Sequence, residues 1–395
     1  MTRHYLDHAS ISPLRPEAAA AMAEWAATGV TADPGRVHTE GRMARAMLEE
    51  ARDRVAGLFG VRPRQLVFTS GATEAVNSAV WGALRAWEAS AGRSGDPTAP
   101  PVVVAAAVER AAVREASARL ATVVSVPVDG TGRNDPDGVR WAIGESRSVH
   151  GTTPALVHCQ WANHEVGTLQ PVGAVAAICR ELGVLLHVDA VAAAGHVPVD
   201  CGALDADFVS VAAHQLGGPP GIGALILRRG LRIEPLLVGG EQERARRAGL
   251  ENVPAAVGFG AAAGALADPG RLAAEARASS LRTAHLRAAA LTVDDVVVYG
   301  DPDPAGRLPH IVCLGIGGVE AEPVLLGLDQ AGVAAHSGSS CSSESLEPSP
   351  VLEAMGVDAE RSLRLSVGWS TTDGDVAAFA SSFPGVVGSL RSLRS

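Results

Sequence analysis

The chain contains no lysine: all 33 of its basic residues are arginine. No side-chain amine is therefore present to form a Schiff base with a carbonyl cofactor, and no cofactor bound covalently in that way is expected. Cysteine is scarce. The five cysteines, Cys159, Cys179, Cys201, Cys313 and Cys341, show no C-x-x-C spacing, which argues against a zinc site or a disulfide framework, and no metal is expected. Four of them lie in apolar or strand-like stretches and read as small buried side chains. Long apolar runs are missing too: no stretch reaches the roughly 18 residues of a membrane span, and MTRHYLDHAS carries no secretory apolar region. A cytoplasmic protein without membrane contact is expected. Basic stripes are also absent. With 43 acidic and 33 basic residues, a net charge of -10 and a pI of about 5.6, nothing is available to neutralise nucleic-acid phosphates, so direct nucleic-acid binding is not expected.

What is present is an alternation of apolar, β-rich runs with helix-period segments, the pattern of βαβ units and a largely parallel sheet. The strand candidates are 65–70, 101–108, 155–161, 183–190, 207–213 and 222–229, and the helix candidates 16–27, 44–60, 72–89 and 172–183. Turn residues make 90–101 a surface loop. After about residue 262 the pattern changes to a long Ala/Arg/Leu helix and shorter strands at 310–316 and 364–369. At 395 residues the chain exceeds one ordinary core, so two domains are expected. These are a large α/β domain over 15–261 and a smaller α+β domain formed by 1–14 with 262–395.

Four stretches carry chemistry. TSGATEAVN (69–77) follows a strand and opens a helix, so the amides of Ala72 and Thr73 and the Thr73 hydroxyl form either an anion site or an ordinary capped helix start. HVDA (187–190) ends a buried strand on Asp189, at the edge where open α/β sheets bind ligands; a structural aspartate is the alternative. SGSSCSSESLEPSP (337–350) sets Cys341 among small flexible residues, where a thiol is reachable. SVAAHQLGGPPGIGAL (210–225) ends an apolar strand on His214 and Gln215 at a glycine-rich turn.

In order, YLDHASISP (5–13), DPGRVHTEGR (33–42), TSGATE, WANHEVGTLQP (161–171), HVDA, AAHQLGGPPGIGAL, GGEQERARRAG (239–249), SGSSCSSESLEPS and RLSVG (364–368) resemble the cysteine desulfurases of the class V aminotransferase group. These are fold-type I enzymes that use pyridoxal phosphate. The resemblance implies a mainly parallel seven-stranded sheet flanked by helices, plus the smaller α+β domain. It also implies that Ala72 and Thr73 hold the cofactor phosphate and that Asp189 keeps the pyridine nitrogen protonated. Asn163 and Arg364 would grip the carboxylate of an L-cysteine-like ligand, and Cys341 would become a persulfide.

The departures gather around the cofactor. Where the family has His-Lys, this chain has His214 and Gln215, and glutamine can neither hold the cofactor covalently nor move its protons. The ring-stacking histidine corresponds to Arg110, the glutamine that meets the cofactor hydroxyl to Ala192, and the phosphate serine to Ala212. The Arg-x-Gly-Thr of a neighbouring subunit has become Arg247-Ala248-Gly249-Leu250. A degenerate member is therefore expected: a pseudoenzyme with no covalently bound cofactor and pyridoxal phosphate entering only non-covalently. It would act as a homodimer, or as a heterodimer with an intact desulfurase, in sulfur transfer to an acceptor protein. An active lyase with a site rebuilt around Arg110 and Gln215 is the alternative, and a purely structural subunit a third.

Overall fold

The computed structural model describes residues 2–30, 32–94, 100–337 and 348–393. Its main sheet has seven strands: β1 (Leu66–Thr69), β2 (Val102–Ala106), β3 (Thr122–Val126), β4 (Leu156–Gln160), β5 (Leu186–Asp189), β6 (Phe208–Ala212) and β7 (Gly223–Leu227). Their spatial order is β1-β7-β6-β5-β4-β2-β3, and all neighbours run parallel except β7, which is antiparallel to both β1 and β6. Both faces are covered, which is why these strands read as unbroken apolar runs. Val104, Val157, Val188 and Val209 enter one core cluster, while Val103, Leu156, Phe208 and Leu225 enter the other. The sequence pattern names six of the seven strands. The missing one, β3, is the edge strand TVVSV, where only Val126 is fully buried and no apolar run results.

Helix α1 (Pro16–Ala27) matches its expected span, α2 covers Thr39–Leu58, and α3 runs from Ala72 to Ser94. The first residues of the expected 90–101 loop therefore belong to α3. The long Ala/Arg/Leu helix expected after about residue 262 is Pro269–Ala290, and a separate helix, Val253–Leu266, precedes it. Pro269 cannot continue the earlier helix, and the Asp268 side chain caps the later one through the Gly270 amide at 2.9 Å.

A second, antiparallel sheet contains β8 (Val296–Tyr299), β9 (Ile311–Ile316) and β10 (Ser362–Ser366) in the order β10-β9-β8. Leu314, Leu363 and Leu365 pack there with Phe379 and Phe383 in a separate core. Alternation along β10 turns Arg364 to the opposite face, level with Cys313. The N-terminal segment joins the two layers: the Ser12 amide donates to His214 O at 3.1 Å, and Arg15 Nε to Leu216 O at 2.7 Å. Gly217 closes that turn with a φ of 78°, where a Cβ would lie 2.6 Å from Arg15 Cγ. Among the described residues no helix is long and apolar enough to cross a membrane.

Candidate functional site

The carboxyl ends of the parallel strands meet along one edge, the usual ligand edge of an open α/β sheet. From there β2 leads to Glu109 and Arg110, β4 to Asn163, β5 ends on Asp189, and β6 turns through Ala213–Leu216 with His214 and Gln215. Arg364 arrives from β10 of the smaller sheet. Together Arg110, Ala192, His214, Gln215 and Arg364 line one cavity of about 250 Å³ with Ala9, Ser10, His164, Val191, His310 and His336.

Asp189 lies just behind this cavity. Its Oδ1 accepts from the Val191 amide at 2.9 Å, while Oδ2 is buried without a hydrogen-bond partner among the described residues. The Arg110 guanidinium stands 3.6 Å from that oxygen, close enough for an ion pair and too far for a hydrogen bond. Burial and the charge of Asp189 push the neighbouring Glu109 carboxyl up to about 8, and its Oε1 accepts from the Gln160 amide at 2.7 Å. Ala72 packs on Val191 and Ala212, which brings the start of α3 beside the ends of β5 and β6, with Thr73 exposed. In the same turn Glu74 holds Arg247 at 2.9 Å, and Leu250 nearby is exposed.

Gln215 is only 5% exposed; its Nε2 donates to Ala9 O at 2.9 Å, and its Oε1 is buried without a partner among the described residues. Burial, and then the charge of Arg110, lower the preceding His214 from the ordinary histidine value and so favour its neutral imidazole. Arg364 donates through Nη1 to His164 O at 3.0 Å and through Nη2 to Ser10 Oγ at 2.7 Å and Asp7 Oδ1 at 3.2 Å. Asn163 is not among the residues lining the cavity. It is fully buried, its Oδ1 accepts from the amides of Glu165 and Val166 at 2.8 and 2.9 Å, and its Nδ2 donates to Val108 O at 3.3 Å. Cys341 lies outside the described residues. The other four cysteines are buried, as their apolar neighbours imply, and burial pushes the thiols of Cys179 and Cys201 up to about 12, leaving them inert.

Several residues of the site carry no signal in the sequence reading. Glu109 stands directly before Arg110 in AVERAAV. Glu165 follows Asn163 in WANHEVG, receives a 2.6 Å hydrogen bond from Ser349 Oγ, and is raised by burial to about 7. His310 lines the cavity, fully buried, with its ring stacked on His196 at 3.4 Å between centroids.

These buried groups predict a pH optimum of stability. His8 and His187 fall from the ordinary 6.5 to about 4 and His196 to about 3, so the folded chain binds fewer protons there and stability rises with pH up to about 6.5. Glu109 and Glu165 act oppositely: they hold protons when folded and release them when unfolded, so they lower stability as pH rises towards 8 and 7 respectively. His158, His164, His214 and His310 are lowered as well, so thermal melts should peak near pH 7 and then decline, with Glu109 contributing about 1 kcal/mol of the loss by pH 8. Glu109→Gln should flatten that decline; an unchanged slope in the variant would remove Glu109 from the account.

The class-V aminotransferase family model matches residues 4–379. The chain belongs to the cysteine desulfurase family. An IscS-like cysteine desulfurase of Mycobacterium tuberculosis is 38% identical over 98% of this chain and 97% of that protein, and the cysteine desulfurase IscS of Dictyoglomus turgidum is 35% identical over 94% and 91%. Among solved structures, a NifS-like protein superposes with a TM-score of 0.85 at 26% identity, covering 98% of this chain and all of that one. The apo cysteine desulfurase of Thermococcus onnurineus NA1, at 23% identity and a TM-score of 0.84, shares the fold. The expected seven-stranded, mainly parallel α/β architecture is therefore that of the family. One expectation is overturned by these relatives: that no cofactor is covalently bound and that pyridoxal phosphate enters only non-covalently. Cysteine desulfurases are pyridoxal-phosphate enzymes, and full-length kinship at 35–38% identity makes this the cofactor against which the pocket is read.

Proposed function

We propose that this chain is a sulfur-handling member of the cysteine desulfurase family that depends on a lysine-bearing partner for sulfur release. Its pocket receives an L-cysteine-like amino acid, and Cys341 accepts sulfur and passes it on. The residues around the pocket fit pyridoxal phosphate at both ends. Asp189 Oδ2, buried and without a hydrogen-bond partner, suits a protonated ring nitrogen, and the N-terminal turn at Ala72 and Thr73 suits a phosphate. When bound, the cofactor supplies an electron sink. Arg364 would orient the ligand carboxylate.

The observation that carries the proposal is Gln215. A carboxamide is neither a base nor a nucleophile near neutral pH, and this one is buried and tied to Ala9 O at 2.9 Å, so the position cannot carry a proton to or from the ligand. Sulfur must then be set free elsewhere. Leu237, Val238 and Leu250, exposed by 40%, 79% and 65%, support an apolar contact with a partner subunit, either a second copy or an intact homologue. In the relay, the Cys341 thiolate attacks the outer sulfur of a donor persulfide. The donor's S–S bond breaks as the new one forms, and the donor leaves as a thiolate.

Incubation with a lysine-bearing desulfurase and L-cysteine should add one sulfur to the Cys341 peptide by mass spectrometry, and omitting the desulfurase should leave it unmodified. Cys341→Ser should abolish sulfur delivery to the acceptor protein without loss of fold. Normal delivery by that variant would exclude the relay.

A further inference from the structure

We propose that Arg110 is the internal counter-cation of Asp189 and competes with the pyridine ring of pyridoxal phosphate for that carboxylate; this rests on reading the pocket as a site for that cofactor. Asp189 is 2% exposed at the side chain and does not line the cavity, whereas Arg110, 29% exposed, does, and its Nη1 stands 3.6 Å from Asp189 Oδ2. Burial, and then the same guanidinium, lower His164 and His214, which both line the cavity. The charge of Arg110 is therefore felt on the cavity side, and its side chain stands between Asp189 and a ligand there.

Arg110 has no other anion to serve. Burial and the charge of Asp189 raise the adjoining Glu109 carboxyl to about 8, so it is mostly protonated at pH 7, and Asp189 is the only carboxylate within ion-pair distance of Arg110 among the described residues. A guanidinium is charged throughout the neutral range, whereas a pyridine nitrogen must take up a proton before it pairs with a carboxylate. Arg110 thus holds Asp189 with no proton supplied. At 3.6 Å the contact is an ion pair and not a hydrogen bond, and the Arg110 side chain makes no hydrogen bond among the described residues, so a ring can displace it. The consequence is on affinity: a ligand that sets a ring nitrogen on Asp189 first gives up the pair with Arg110. Arg110 is thereby a residue that tunes cofactor binding.

The test is equilibrium dialysis of the purified full-length protein at pH 7 with two ligands. One is pyridoxine phosphate, which has the ring and the phosphate but no aldehyde to react with the N-terminal amine; the other is its analogue with C–H in place of the ring nitrogen. In the wild type Asp189 has a cationic partner with either ligand, ring or arginine, so the two should bind within about threefold of each other. In Arg110→Met only the nitrogen-bearing ring can pair the carboxylate. Pyridoxine phosphate should then bind about 10- to 100-fold more tightly than the analogue, the range for a hydrogen bond to a charged group, and more tightly than to the wild type. Arg110→Gln should move the preference the same way, which tests the assignment even if the methionine variant does not fold. An unchanged preference in a folded variant overturns the competition alone, and so does weaker binding of both ligands, which would make Arg110 a ligand-holding residue. No binding of pyridoxine phosphate by the wild type or by either variant overturns the cofactor reading of the pocket and this assignment with it. The relay through Cys341 is read by mass spectrometry and does not enter the dialysis.

Discussion

Given L-cysteine, pyridoxal phosphate and a thiol reductant, this chain by itself is expected to release sulfide roughly 10²–10⁴-fold more slowly than a lysine-bearing relative, the range lost with a general acid–base group. The cause is the carboxamide at position 215, which neither takes nor gives a proton. Gln215→Lys should raise the rate yet leave it below the relative's. Ala192 and Leu250 offer no polar side chain where the family resemblance assigns hydrogen bonds to the cofactor, and each such bond to a charged group is worth about 1.5–3 kcal/mol. Colorimetric sulfide assays on both proteins decide the matter. Wild-type release at the relative's rate would end the partner-dependent reading, and full activity of Gln215→Lys would show that Ala192 and Leu250 cost nothing.

Glu243→Ala is expected to destabilise the fold by about 3 kcal/mol, because it leaves the buried Arg52 guanidinium with Glu49 at 3.2 Å, a third exposed, as its one remaining carboxylate partner among the described residues. Arg52 and Glu243 are each about 1% exposed at the side chain and meet in two parallel bonds of 2.7 Å, and Glu243 Oε2 also accepts from the Phe68 amide at 3.0 Å. The pair anchors a strained turn: Glu243, Arg244 and Ala245 have φ values of 49°, 60° and 59°, which non-glycine residues adopt only when their surroundings impose it. The same turn carries Arg247 to Glu74 in the first turn of α3, so its loss should also disturb the start of that helix. Urea unfolding measures the effect. Replacing both partners, Arg52→Met with Glu243→Leu, should cost less than Glu243→Ala, since no charge is left unpaired. A loss below about 1 kcal/mol for Glu243→Ala would mean that water reaches Arg52.

The positions gathered at the candidate site were legible in the sequence wherever they sit at the end of a regular element. Asp189 closes an apolar run, Thr73 opens an amphipathic helix, and the His214-Gln215 pair stands at a glycine turn. Each is marked by a local change of period or by a turn residue. Edge strand β3 was not legible, because a half-exposed strand carries no continuous apolar run. The helix Val253–Leu266 was not legible, because it is buried on nearly every side and its alanines and glycines show no helical period, whereas Pro269–Ala290 stands out by its arginines.

The sequence by itself determined the fold class, the absence of any side-chain amine and the residue types at the pocket, because composition, periodicity and motif order are properties of the chain. Only the tertiary structure decided how those residues face one another. Arg110 beside Asp189 at 3.6 Å, the amide of Gln215 turned by Ala9, 206 residues earlier in the chain, and Asn163 Nδ2 held by Val108 O, 55 residues earlier, all depend on approaches between distant segments. The physical reason is that a buried polar atom takes its role from whichever partner folding brings within about 3 Å, and no local pattern in the sequence encodes that partner.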